Sequence, residues 1–151
     1  MSDWRVVIIG DGSHARAVEA LAVAAGYQPI ARTKPAEDAG VLAHCNFEGV
    51  SVGVGCSDMA HRTAVCESMD RNIRFSMVHP AVILPKYGGR VGSGSVVFPC
   101  TLGTQTTVGR HVVIYSGSIV EHNSTIGDHA WLSPGVILCG NVTIQPRVFL
   151  G

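Results

Sequence analysis

From residue 108 to residue 150 every sixth position is a branched apolar residue: Val108, Ile114, Val120, Ile126, Leu132, Leu138, Ile144 and Leu150. A period of six fits neither the 3.6-residue turn of an α-helix nor the alternation of a strand. It fits a parallel β-helix, in which each hexad makes one short strand and its corner. The periodic residue points inward. The residue two places before each later member (Val112, Ser118, Ser124, Ala130, Val136, Val142, Val148) is compact enough for a tight corner. Three hexads close one triangular coil, so residues 18 apart should stack and each coil should cover its neighbour. "VGSGSV" from Val91 and "LGTQTT" from Leu102 extend the pattern backwards, with one residue missing between Val97 and Leu102.

Residues 1–77 follow a different grammar. "RVVIIG" reads as a buried strand, and Ser13 as the cap of a helix whose apolar face is Ala15, Val18, Leu21, Ala22 and Ala25. Gly26 suits the helix stop. "YQPIA" reads as a second strand, residues 32–47 as a loop and "GVSVGVG" as a third strand. "SDMAHRTAVCESMDR" reads as a second helix and "IRFSMV" as a fourth strand. Strands alternating with helices predict a small parallel sheet with helices on its faces. The expected organisation is therefore an α/β domain over 1–77 and an all-β domain over 78–151.

The chain has 151 residues, with 11 basic and 11 acidic side chains. That balance argues against a nucleic-acid partner, which usually demands a basic surplus. No apolar run approaches the ~18 residues of a membrane span. The N-terminus lacks the basic start and long apolar region of a signal peptide. The five cysteines form no CxxC pair and read as reduced thiols, so a cytoplasmic location is expected.

"GDGSHA" (Gly10 to Ala15) joins a strand to a helix, where backbone N–H groups and the helix dipole can hold a phosphate. A dinucleotide fingerprint would need an acid about 20 residues on, and four strands are too few for a full dinucleotide fold. Arg32 and Lys34 read as phosphate contacts or as solvated surface. His122 reads either as a general base, since imidazole titrates near neutrality, or as a polar corner residue. His111 and His129, 18 apart, should stack; a metal site there is the less favoured reading. His79 reads as shaping the turn with Pro80, Arg62 as structural, and Cys100 and Cys139 as corner or interior residues.

"IIGDGSHARAV", "VGVGCSDMAHR", "VHPAVI" and "VEHN…IGDHAWLSPGVILCGNVTI" together resemble the bacterial sugar O- and N-acetyltransferases, of the sialic acid O-acetyltransferase and UDP-bacillosamine-precursor N-acetyltransferase type. The resemblance runs from about residue 4 to the end. It implies a Rossmann-like nucleotide-sugar-binding domain followed by a left-handed β-helix, a homotrimer, and acetyl-CoA as co-substrate without a metal. It implies His122 as general base, with Asn123 standing where the family usually carries an acid. It implies cofactor contacts at Gly140 and at Trp131, where relatives often have histidine. Trp131 would stack on the cofactor or, preferably, fill a subunit interface together with the stacked histidines. Tyr115 replaces a frequent asparagine. Gly12, Ser13, His14 and Gly55 would hold the sugar nucleotide, and the family's aspartates after the second strand are absent. The chain stops at the start of a fresh hexad, where family members continue for further coils. The expected function is acetyl transfer to a sugar amine or hydroxyl. The alternatives are a catalytically weak nucleotide-sugar-binding or scaffold trimer and a γ-type carbonic anhydrase.

Overall fold

The computed structural model describes residues 4–34, 49–73, 75–85 and 87–151. Most of the loop expected over 32–47 lies outside the described residues. β1 (Arg5–Ile9) is the central strand of a three-stranded parallel sheet, flanked by β2 (Gln28–Thr33) and β3 (Gly49–Val52). Alternation along β1 sends Val6 and Ile8 to one face, against Ala15, Val18, Leu21 and Ala22 of α1 (Ser13–Ala24). Val7 and Ile9 go to the other, with Val50, Val52, Val65 and Cys66; the last two lie on α2 (Met59–Met69).

The helix ends differ from each other. Gly12, not Ser13, is the N-cap of α1, and no side chain caps it. Asp58 caps α2, accepting from His61 N at 2.8 Å. Gly26, at φ +83°, closes α1 in a Schellman turn: its N–H donates to Val23 O, and Tyr27 N–H to Ala22 O.

The fourth strand expected in this sheet belongs elsewhere. β4 (Met77–Val78) pairs with β6 (Val96–Val97) and opens the β-helix. The remaining two-residue strands are β5 (Arg90–Val91), β7 (Thr101–Leu102), β8 (Thr107–Val108), β9 (Val113–Ile114) and β10 (Ile119–Val120), then β11 (Thr125–Ile126), β12 (Trp131–Leu132), β13 (Ile137–Leu138), β14 (Thr143–Ile144) and β15 (Phe149–Leu150). They form three parallel faces: β7-β10-β13; β5-β8-β11-β14; and β4-β6-β9-β12-β15. Partners such as Ile119 and Ile137, or Trp131 and Phe149, are 18 apart. Pairs spanning the missing residue are 17 apart: Val96 with Val113, and Arg90 with Thr107.

The second residue of each strand fills the interior. Val97, Leu102, Val108, Ile114, Val120, Ile126, Leu132 and Leu138 make one core cluster. Each such side chain contributes about 1.5–3 kcal/mol by leaving water. Small polar residues seal the corners: Ser95 Oγ donates to Gly109 O at 2.8 Å and Ser124 Oγ to Cys139 O at 3.1 Å.

The first residue of each strand points outward, and the three faces differ. One carries Arg90, Thr107, Thr125 and Thr143; a second carries Thr101, Ile119 and Ile137; the third carries Met77, Val96, Val113, Trp131 and Phe149. On the third face, Met77, Val96, Val113 and Trp131 join the core of β1 and α1. The α/β unit is therefore docked on the outside of one β-helix face.

Candidate functional site

His122 lies in the corner that joins β10 to β11, opposite the docked face, and it is exposed. The backbone around it is fixed by the coils below and above. Asn123 N–H donates to Thr104 O, and Asn141 N–H to His122 O, both at 2.9 Å. Asn123 sits at φ +57°, a left-handed conformation that asparagine tolerates well, and Asn141 repeats it one coil later at +62°. The Asn123 Nδ2 lies 3.2 Å from His122 Nδ1. In that orientation the amide donates, Nδ1 accepts, and the neutral ring carries its proton on Nε2. Turning the amide over makes Oδ1 the acceptor of an Nδ1–H and frees Nε2 as a base. Gly140 stacks on His122: a Cβ built there would lie 2.6 Å from the imidazole Cε1 and Nε2.

Gly12, Ser13, His14 and Gly55 are brought together. They line one open cavity of about 430 Å3 with Asp11 and His61. The N-termini of both α1 and α2 abut it. Gly10 (φ +132°) and Gly53 let the two loops touch, since a Cβ on Gly10 would lie 2.8 Å from Gly53 O. Gly12 has open space where a side chain would stand. Cys56, Ser57 and His61 were missed in the sequence; the signal was there, because "GVGCS" before α2 mirrors "GDGS" before α1.

His14 is also a joint. Its Nδ1 is 2.7 Å from the Tyr115 hydroxyl, and its ring centroid is 4.8 Å from that of Trp131. Burial, helped by the Arg62 cation, pushes its pKa down to about 3, so it stays neutral. Trp131 is only 3% exposed, covered by the docked unit. The Arg62 guanidinium, fully buried and without a hydrogen-bond partner among the described residues, lies 5.6 Å from the Trp131 ring centroid. Trp131, expected to meet the cofactor or a subunit interface, is packed here against His14 and Arg62 of the chain's own α/β unit. An outward side chain on that face meets the chain's own helices first.

The histidine pair lies at the same junction, not on a free face. His111 and His129 stack with centroids 4.9 Å apart, and His111 Nε2 is 3.2 Å from Asp70 Oδ1. Arg110 pairs with the same Asp70, and Arg147 with Glu67 at 3.3 Å. Among the described residues no group of three or more His, Cys, Asp or Glu is placed to hold a metal ion. Arg32 pairs with Glu19 at 3.2 Å. His79 Nδ1 accepts from Ala81 N–H at 3.0 Å and so closes its turn, as its neighbour Pro80 suggested. Among the described residues no helix is long and apolar enough to cross a membrane.

A three-layer α/β unit docked on a hexapeptide parallel β-helix is the class that this architecture defines. Within it, solved sugar acetyltransferases share the fold. A histidine-to-asparagine variant of perosamine N-acetyltransferase from Caulobacter crescentus, in complex with CoA and GDP-perosamine, is 19% identical. It aligns over 95% of this chain and 84% of its own, with a TM-score of 0.70. The acetyltransferase domain of PglB from Neisseria gonorrhoeae, in complex with acetyl coenzyme A, is 18% identical over 98% and 88%, with a TM-score of 0.73. WeeI from Acinetobacter baumannii is 11% identical over 97% and 93%, with a TM-score of 0.51. No family profile matches the sequence, and no curated protein matches it.

Proposed function

We propose that this chain is an acetyltransferase that moves acetyl from acetyl-CoA to an amine or hydroxyl of a nucleotide-linked sugar. The observation that carries the reading is the His122 corner: an exposed imidazole, gripped at Nδ1 by Asn123, on a fold shared with structures holding CoA, acetyl-CoA and GDP-perosamine. In this reading the coil is left-handed, residues 1–77 are a reduced Rossmann-like module, residues 78–151 carry the acyl transfer, and the protein works in the cytoplasm.

Acetyl-CoA supplies the thioester. With the Asn123 amide turned so that Oδ1 accepts from Nδ1–H, His122 Nε2 takes the proton from the attacking amine or hydroxyl, while backbone N–H groups at the corner hold the developing oxyanion. Its collapse breaks the C–S bond, and the CoA thiolate leaves with the proton returned by the imidazolium. Gly12, Ser13 and Gly55 present backbone to the nucleotide-sugar phosphate, with the two helix N-termini facing it. His14 contributes by holding that loop to Tyr115 rather than by titrating. The exposed Ile137, three residues before Gly140, offers an apolar surface on the adjoining face.

Position within the chain supports an oligomer. The glycine-loop cavity belongs to the unit docked on one β-helix face, while His122 occupies the corner opposite that face. If both serve one reaction, they come from different protomers, and a homotrimer packs three prisms so that each corner meets a neighbour.

Calorimetric titration with acetyl-CoA, followed by thiol release in the presence of UDP-, CMP- and GDP-sugars, tests the proposal. Saturable acetyl-CoA binding and acceptor-dependent CoA release are expected. Gly12→Val should weaken sugar-nucleotide binding while the β-helix stays folded, because its side chain enters open space. The uncharged Asn123 favours a second reading, a nucleotide-sugar-binding trimer with weak catalysis. Tight sugar-nucleotide binding with no acetyl-CoA binding would select it.

A further inference from the structure

We infer that Gly140 is a positioning residue for His122: its missing side chain is the seat of the imidazole's Cε1–Nε2 edge. The inference rests on His122 being the base, and it assigns Gly140 a role other than making room for a cofactor.

Three observations carry it. A Cβ at Gly140 would lie 2.6 Å from Cε1, 2.6 Å from Nε2 and 3.1 Å from Cδ2 of His122. These distances are well inside van der Waals contact, and the nearest atoms are all in the one ring. Secondly, backbone conformation does not call for glycine here. Gly140 is not among the positive-φ glycines, whereas Gly117 and Gly135, at another corner, are. Thirdly, the Gly140 backbone cannot withdraw. Glu121 N–H donates to Leu138 O and Asn141 N–H to His122 O, both at 2.9 Å, and these bonds tie the two coils together on either side. Any atom added at residue 140 must therefore move the imidazole.

The ring is exposed, so it can move cheaply. Asn123 holds its Nδ1 side and the glycine notch receives its Nε2 side. Together they set the direction in which Nε2 faces a reacting group. Turning the ring out of the notch breaks that direction and the Asn123 contact at once, while leaving the coil intact.

Gly140→Ala tests this with two readouts. The first needs no activity: 15N–1H correlation of the His122 ring nitrogens in the full chain. The parent should show one ring orientation with Nδ1 hydrogen-bonded, and the variant should lose that signature with unchanged melting. An unchanged ring spectrum would overturn the inference. The second readout is thiol release from acetyl-CoA with GDP-perosamine as probe amine. Misplacing a catalytic group by about 1 Å can cost on the order of 100-fold in rate. We expect kcat to fall by that order, KM for acetyl-CoA to hold, and Gly140→Ala to add no loss in a His122→Ala background. A raised KM with unchanged kcat would restore the cofactor-contact role and sink the inference. If His122→Ala itself leaves turnover intact, the base assignment fails, and the ring spectrum still decides whether Gly140 seats the imidazole.

Discussion

His122 is exposed, so replacing it changes chemistry more than stability; surface substitutions of this kind usually stay within about 0.5 kcal/mol. His122→Ala should lower turnover by about 10²- to 10⁴-fold, the usual contribution of a general base, with little change in acetyl-CoA affinity measured by calorimetry. Asn123→Asp is the informative neighbour. Both residues accept the left-handed corner at φ +57°, so the backbone is kept. An aspartate can only accept, which fixes the proton on Nδ1 and leaves Nε2 free, and its charge stabilises the imidazolium. The acid limb of the rate–pH profile should move to higher pH. An unmoved limb would show that the residue at 123 does not act through the ring.

At the scale of elements, the joint between the α/β unit and the β-helix should be acid-sensitive. His14 has a folded pKa near 3 against about 6.5 in the unfolded chain, so the unfolded state binds the proton more tightly. Stability is therefore complete above pH 6.5 and falls as pH drops towards 3, by about 2 kcal/mol at pH 5. Burial also lowers His111 and His129, which act in the same direction. Urea unfolding at pH 7 and pH 5 checks this. His14→Asn should flatten the pH dependence, and an unaltered slope would acquit His14. Much of this architecture can be read from the chain. The inward positions obey a six-residue period that no other element mimics, and stacking at 18 brings His122 next to Gly140 and His111 next to His129. The docked face is also written there, at a longer period. The residues before the inward series run Thr107, Val113, Ile119, Thr125, Trp131, Ile137, Thr143, Phe149; only spacing by 18 separates the threonine column from the column that includes Val113 and Trp131. Reading hexads alone merges the three faces, so the docking of the α/β unit on the Val113–Trp131 column is not visible at that period. "IRFSMV" misleads for another reason: an apolar strand signal does not name its partner, and Met77–Val78 finds Val96–Val97 rather than β1.

For the molecule as a whole, one face with exposed apolar residues is that of β7, β10 and β13. Ile83 and Ile137, 64% and 66% exposed, lie at the two ends of its outward column, with Thr101 and Ile119 between them, and Leu84 next to Ile83 is 52% exposed. In the trimer proposed above, this face would meet a neighbouring protomer. Ile137→Lys should lower the mass seen by light scattering at micromolar concentration and weaken acetyl-CoA binding with it, while circular dichroism stays unchanged. A parent that is already monomeric would remove the intersubunit site. The 18-residue column has one more consequence, which concerns length. Between β8 and β15 the chain can change size only in quanta. Removing 18 residues, such as 115–132, takes out one storey and leaves every remaining side chain facing its old direction. Removing six turns everything downstream by a third of a revolution, bringing the threonine column round towards another face. Inheritance in such a molecule is therefore stepwise: whole storeys can be lost or duplicated without redesign, whereas the hexad, although it is the visible repeat, is not a unit that can be exchanged.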